Sequence, residues 1–242
     1  MKNYNHLLVN GCSFSFGATL ENIEQERYSS LLAKKLNCNV ENISKLGGSN
    51  DRIFRTTFDW INKNKYSDTL IIIGLTEIFR DDIFSNNTKK YTPLSYAYLN
   101  SKDDMKTFFN ECGVNDMTEF FETNFQYFIN KDEWIKKVNR NIILLSSYAK
   151  QSGVDIIFFD AMLRTSYGEN LHQSDMKTWK ENKDLFKLNN VNYFLFENYE
   201  NWREYIKSWD DTYDYGHPQK NHHKDLTEKL YEYIKGEFNE KK

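Results

Sequence analysis

Apolar and polar positions change period several times along the chain, and each change predicts an element. Leu7, Leu8 and Val9 form a short continuous apolar run ending at Asn10 and Gly11, the signature of a buried strand over His6–Asn10. Tyr28, Leu31, Leu32 and Leu36 then recur at helical spacing. Residues 40–44 read as a second short strand. After the break at Leu46-Gly47-Gly48-Ser49-Asn50, a helical face runs through Ile53, Phe54, Phe58 and Ile61, capped by Ser49 or Asn50 and with Asp51 favourable in its first turn. Thr69-Leu70-Ile71-Ile72-Ile73, ending at Gly74, has no polar face and predicts a central strand covered on both sides. Trp134, Val138, Ile142, Leu145 and Tyr148 form another helical stripe, closed at Ser152-Gly153 where a left-handed cap belongs. Val154-Asp155-Ile156-Ile157-Phe158-Phe159 reads as the next strand, residues 193–196 as a last short one, and Leu226, Leu230, Tyr233 and Ile234 as a C-terminal helix.

This alternation of strand and helix implies an α/β fold, a parallel sheet with helices on both faces. Residues 81–131 and 163–192 break the rhythm and stand as insertions into a single domain spanning 1–242. Such excursions usually rise from the carboxyl ends of strands beside the ligand crevice, where they set substrate choice. Extra core or an interface between copies is the alternative reading of both.

Composition sharpens this picture in two ways. Hydrophobic residues make up 39% of the 242 and aromatics 16%, ample for a core and an aromatic-lined cleft. Lys and Arg number 32 against 35 Asp and Glu, a formal charge of -3 with no basic footprint for nucleic acid or an anionic membrane. The expected partner is a small molecule or polymer without strong charge. Cys12, Cys38 and Cys112 are odd in number and lack the spacing of a zinc knuckle, which suggests a reducing compartment. With no signal-peptide core near the N-terminus and no apolar stretch of membrane-spanning length, the expected location is the cytoplasm. Nothing in the pattern fixes an oligomeric state.

Two segments carry candidate chemistry. In "VNGCSFSFG", residues 9–17, Ser13 stands just past a buried strand, where its hydroxyl faces the sheet's carboxyl edge and a following helix directs N–H groups at a developing oxyanion. Ser15 and Cys12 are its neighbours and rivals, and a plain turn serine is the alternative. In "DTYDYGHPQKNHH", residues 211–223, Asp214 and His217 lie three apart before the last helix. A serine needs a base poised near neutral pH and a carboxylate to hold that base's tautomer, and this loop offers both. A solvated turn is again the bland reading. A metal site of Asp214, His217, His222 and His223 is a weaker rival, because adjacent histidines do not both face one ion from a regular helix.

Together, Gly11-Cys12-Ser13-Phe14 and the late Asp214-Tyr215-Gly216-His217-Pro218 resemble the first and last sequence blocks of the SGNH, or GDSL-like, hydrolases. The resemblance implies a three-layer α/β/α sandwich of flavodoxin-like type, with a mostly parallel sheet of about five strands. It also implies a Ser13–His217–Asp214 triad that cleaves acyl esters, including O-acetyl groups of carbohydrates, through an acyl-enzyme without metal or organic cofactor. Asn42-Ile43-Ser44-Lys45-Leu46-Gly47-Gly48-Ser49 is similar to the second block, which makes Gly47 N–H an oxyanion donor beside Ser13 N–H. Glycine suits a position where substrate approaches the backbone closely. The third block departs from the family pattern. Gly74-Leu75-Thr76-Glu77 has Thr76 where the family carries an asparagine whose amide is the third donor. The Thr76 hydroxyl, or Asn50 reaching over from the second block, would have to serve instead. Losing one donor costs about 3 kcal/mol of transition-state stabilisation. A catalytically impaired binding or structural module is therefore the competing function. Glu77 and Arg80, one helical turn apart, are expected to form an ordinary ion pair.

Overall fold

The computed structural model describes residues 2–64, 68–95, 102–115, 118–119, 131–162, 184–196, 199, 201–207 and 216–237. The apolar runs become strands β1 (His6–Asn10), β2 (Asn39–Asn42) and β3 (Thr69–Leu75), followed after an antiparallel hairpin, β4 (Arg80–Ser85) and β5 (Lys90–Ser95), by β6 (Asp155–Asp160) and β7 (Tyr193–Phe194). Five of these form one sheet in the order β2-β1-β3-β6-β7, every neighbouring pair parallel. β1 and β3 run in register from His6 opposite Thr69 to Asn10 opposite Ile73.

Side chains alternate across these strands, so each strand feeds two cores. Leu7, Val9, Leu70, Ile72, Ile157 and Phe159 face one layer. It is built by α3 (Tyr28–Leu36), α7 (Trp202–Lys207) and α8 (Lys220–Glu237), which contribute Leu32, Trp202 and Leu226 among others. Leu8, Ile71, Ile73, Ile156 and Phe158 face the opposite layer, covered by α4 (Asn50–Lys63) and α6 (Lys131–Gln151) through Ile53, Ile142 and Leu145. The result is the expected α/β/α sandwich. Three short or peripheral helices, α1 (Ser13–Phe16), α2 (Ile23–Glu26) and α5 (Lys102–Cys112), complete the assigned set.

Local signals act as the sequence suggests. Ser49 caps α4, its Oγ accepting from Arg52 N–H at 3.1 Å. After α6, Gly153 takes φ +73°, the left-handed geometry that ends the helix. Two readings need adjustment. Phe58, assigned to the apolar stripe of α4, is 45% exposed, its ring tilted against Tyr148 with centroids 4.6 Å apart. Of residues 193–196, only Tyr193–Phe194 pair as strand. The described part of 81–131 is the β4–β5 hairpin and α5, which share a small core of Leu94, Met105, Phe108, Phe109 and Cys112. Residues 163–183 lie outside the described residues. Residues 184–192 include a helical turn that delivers Phe186 and Val191 to the α4/α6 core. Among the described residues no helix is long and apolar enough to cross a membrane.

One buried histidine fastens α8 to α3. The His223 ring stacks on Tyr28 at 5.9 Å and meets the Trp202 ring edge-on at 5.1 Å, and its Nδ1 accepts from Tyr28 N–H at 3.2 Å. Burial, helped by His222, lowers the His223 pKa to about 3. An unfolded histidine titrates near pH ~6.5, so as pH falls the unfolded chain takes up this proton first. The stability contributed by neutral His223 is therefore complete above that pH and is lost as pH falls toward 3. On the order of 2 kcal/mol disappears between pH 7 and 5 by this linkage alone. Urea unfolding of wild type and His223→Gln at both pH values checks it: the pH-dependent loss shrinks by about 2 kcal/mol in the variant.

Candidate active site

The first strand ends at the centre of the sheet, and the chain must turn there without touching β3. Gly11 and Gly74, at the ends of β1 and β3, provide the room. A Cβ on either glycine would run into Ser15 Oγ, and one on Gly74 would also come within 3.1 Å of the Phe159 ring. Ser15 is held from below by the phenol of Tyr28, whose OH donates to Ser15 Oγ at 3.1 Å. Burial raises the Tyr28 phenol far above its ordinary pKa, so it stays a donor. Cys12 and Phe14 point into the core beside Trp202, and α1 closes with Gly17 in the left-handed region at φ +89°. Ser13 is thereby left at the first position of α1 on the sheet's carboxyl edge, 7% exposed.

His217 arrives from the opposite end of the chain. Its Nε2 lies 2.9 Å from Ser13 Oγ, 204 residues away in sequence. Three contacts seat its loop. Gly216 adopts φ +69°, and a Cβ there would approach Arg203 Nη2 to 3.0 Å. Thr19 Oγ donates to Pro218 O at 2.9 Å, tying the loop to the chain that follows α1. Lys220 pairs with Glu26 of α2 at 2.6 Å. The Phe14 ring lies 5.4 Å from the imidazole and limits its tilt. A serine hydroxyl bonded to imidazole is the arrangement in which the base removes the proton as the oxygen attacks carbon. Asp214 lies outside the described residues. Ser15 and Cys12, the rivals to Ser13, are fully buried.

The second-block loop passes beside this pair. Lys45 N–H donates to Gly11 O at 3.1 Å, and Gly48 N–H closes a turn on Lys45 O at 3.0 Å. Gly47, third in that turn, has φ +67° and open space where a Cβ would stand. A side chain there would be strained by the backbone rather than by neighbours.

Thr76 and Asn50 do not stand as two free donors. The Asn50 side chain accepts from Thr76 N–H at 3.0 Å and donates to Thr76 O at 2.9 Å, with a longer contact to Glu77 O. Its amide is engaged by this clamp, one Nδ2 hydrogen on Thr76 O and the longer contact on Glu77 O. Thr76 is fully buried, and its Oγ accepts from Arg80 Nη1 at 3.3 Å. Arg80 Nε in turn donates to Glu77 at 2.9 Å. The expected Glu77–Arg80 pair exists, but across a turn entering β4 rather than on a helix, and with only 5% and 15% of the two side chains exposed. The sequence marked Arg80 only as an ion-pair partner. Its contact with Thr76 follows from the turn, which residue spacing does not reveal.

Neither His222 nor His223 joins the Ser13–His217 pair. His222 and His223 are buried, and each Nδ1 accepts a backbone N–H, from Gln219 and Tyr28 respectively. Among the described residues, no three His, Cys, Asp or Glu side chains converge to hold a metal ion. A groove of about 1010 Å³ opens elsewhere, along the β7 edge between Phe194, Tyr199, Tyr205 and Tyr233, and is lined by neither Ser13 nor His217.

The fold is shared with lipolytic hydrolases of the GDSL type. The psychrotrophic esterase EstA from Pseudoalteromonas sp., in a structure inhibited by monoethylphosphonate, superposes with a TM-score of 0.57 at 14% identity, over 97% of this chain and 99% of that one. A member of the lipolytic G-D-S-L family from Veillonella parvula gives 0.54 at 10% identity, over 96% and 98%. A carbohydrate esterase, described as having divergent catalytic and non-catalytic binding functions at its active site, gives 0.50 at 11% identity, over 97% of this chain and 69% of that one. Comparison with curated protein sequences finds no match. Residues 14–239 match a family of unknown function (DUF6071), and to that family the chain belongs.

Proposed function

We propose that this protein is a serine esterase that cleaves an acyl ester through a covalent acyl-enzyme. The observation that carries the reading is the 2.9 Å contact between His217 Nε2 and Ser13 Oγ at the carboxyl edge of a parallel sheet. In the first step Ser13 Oγ forms a bond to the ester carbonyl carbon while His217 Nε2 takes the hydroxyl proton. The carbonyl π electrons move onto oxygen. That oxyanion is met by Ser13 N–H and Gly47 N–H, with the Thr76–Arg80 pair at the third-block position. Collapse breaks the bond to the leaving alkoxide, which receives the proton from imidazolium. Water then repeats the sequence against the acyl-enzyme, releasing the acid and restoring the Ser13 hydroxyl. Asp214 would accept from His217 Nδ1–H, fixing the tautomer that leaves Nε2 as base and stabilising the imidazolium. The route requires no metal or organic cofactor.

An uncharged acyl ester fits the chain's near balance of charge, and an O-acetylated carbohydrate is the substrate class we favour within it. One of the structural relatives is a carbohydrate esterase, and the chain is rich in Tyr and Trp, which suit stacking on sugar rings. The specific observation favouring a non-catalytic binding module instead is Thr76, which cannot present an asparagine amide.

A fluorophosphonate probe separates the two functions, because only an activated serine reacts with it. Labelling of wild type at Ser13, abolished in Ser13→Ala, is the expected result, and an unlabelled folded protein favours the binding module. Hydrolysis of a short-chain aryl acetate should fall by roughly 10³-fold or more in Ser13→Ala and in His217→Ala. Alanine variants that match wild type would dispose of the assignment. Asp214→Asn should lower kcat by on the order of 10²-fold or more while the thermal midpoint stays put. Unchanged turnover would mean that another acid, or none, orients His217.

A further inference from the structure

Resting on the esterase reading above, we infer that the Arg80 guanidinium, seated on the Thr76 hydroxyl, is the third oxyanion donor of this site. The third-block position is occupied in two layers. Thr76 is fully buried, clamped through its backbone N–H and C=O by Asn50, and its Oγ accepts from Arg80 Nη1. Arg80 lies over it with 15% of its side chain still exposed. Of the two groups, Arg80 is the more exposed.

Location supports the same assignment. β1 and β3 run side by side to Asn10 and Ile73, and the O atom of Gly74 lies 3.0 Å from where a Gly11 Cβ would stand. Ser13 and Thr76 are each two residues beyond these glycines, so both leave the sheet at the same edge.

The chemistry is suited to the place. An asparagine amide offers a neutral N–H, whereas guanidinium offers charge-assisted N–H groups in a rigid fork. Glu77, held by Arg80 Nε at 2.9 Å, balances that charge in the resting site and fixes the plane of the fork. A developing oxyanion then meets a preorganised cation, so the interaction strengthens most in the transition state. The threonine that would otherwise mark a lost donor is, on this view, the seat for a stronger one.

The test uses the full chain, with kcat and KM measured on an aryl acetate beside thermal midpoints. Arg80→Met is expected to lower kcat by about a hundredfold, with KM changed by no more than about twofold. Arg80→Lys keeps a positive charge beside Glu77 but not the fork, and is expected to lose roughly tenfold while remaining folded. The combination Thr76→Asn with Arg80→Met restores an ordinary amide and should recover roughly tenfold or more over Arg80→Met alone. The inference is overturned if Arg80→Met and Arg80→Lys stay within about threefold of wild-type kcat. It is equally overturned if their losses follow the thermal midpoint and the combined variant recovers nothing. A wild type inert to both the ester and the fluorophosphonate brings down the esterase reading and this inference together, whereas an active wild type indifferent to Arg80 removes this inference alone.

Discussion

The site depends on how closely the turn after β1 approaches the end of β3. In a parallel sheet these strands are neighbours held at hydrogen-bonding distance, and a chain turning across the top has almost no clearance. Gly11 and Gly74 create that clearance by lacking a side chain on both sides of Ser15, and the Tyr28 phenol fills the position from beneath. With Ser15 fixed, α1 has one way to begin, and Ser13 is left at the carboxyl edge. The second-block turn attaches to the same point through Lys45 and Gly11 O, and the histidine loop through Thr19 and Pro218. A bulkier group at either glycine would displace the reference point that three loops share.

Legibility in the sequence followed the range of the interactions. The strands at 6–10, 69–73 and 154–159 and the helices led by Tyr28, Ile53 and Trp134 were readable because period and capping are local properties of the chain. The parallel sheet with two helical layers followed from their alternation. The β4–β5 hairpin with α5 was not readable as such, since its aromatic and polar residues serve a small private core rather than a regular face. Phe58 kept the helical period without being buried, because α4 packs on α6 along a narrower stripe than its apolar residues define.

At the site, types and order were legible and contacts were not. Ser13 and His217 stand in two short blocks at opposite ends of the sequence, and the fold brings them to 2.9 Å. Gly47 was named for close approach, and it occupies an open turn with positive φ. The sequence offers Asn50 as a donor, and its side chain brackets the backbone of Thr76, a contact between segments that no local pattern encodes. Arg80, half of an ion pair by its spacing from Glu77, also donates to Thr76 Oγ, for the same reason. Asp214 stays a proposal from sequence.

Ser13 and His217 stand 204 positions apart in sequence, so their contact is made by packing rather than by local chain geometry. The turn bearing Ser13 follows β1, whereas its imidazole partner stands just ahead of α8. The docking of α8 on α3 through His223 and Leu226 anchors the segment that follows the His217 loop. Contacts of such sequence separation carry a loop-closure entropy that the packing of the helical layer must offset. The Ser13–His217 contact therefore depends on packing between segments far apart in sequence, and under the esterase proposal the reactivity of Ser13 would report that packing.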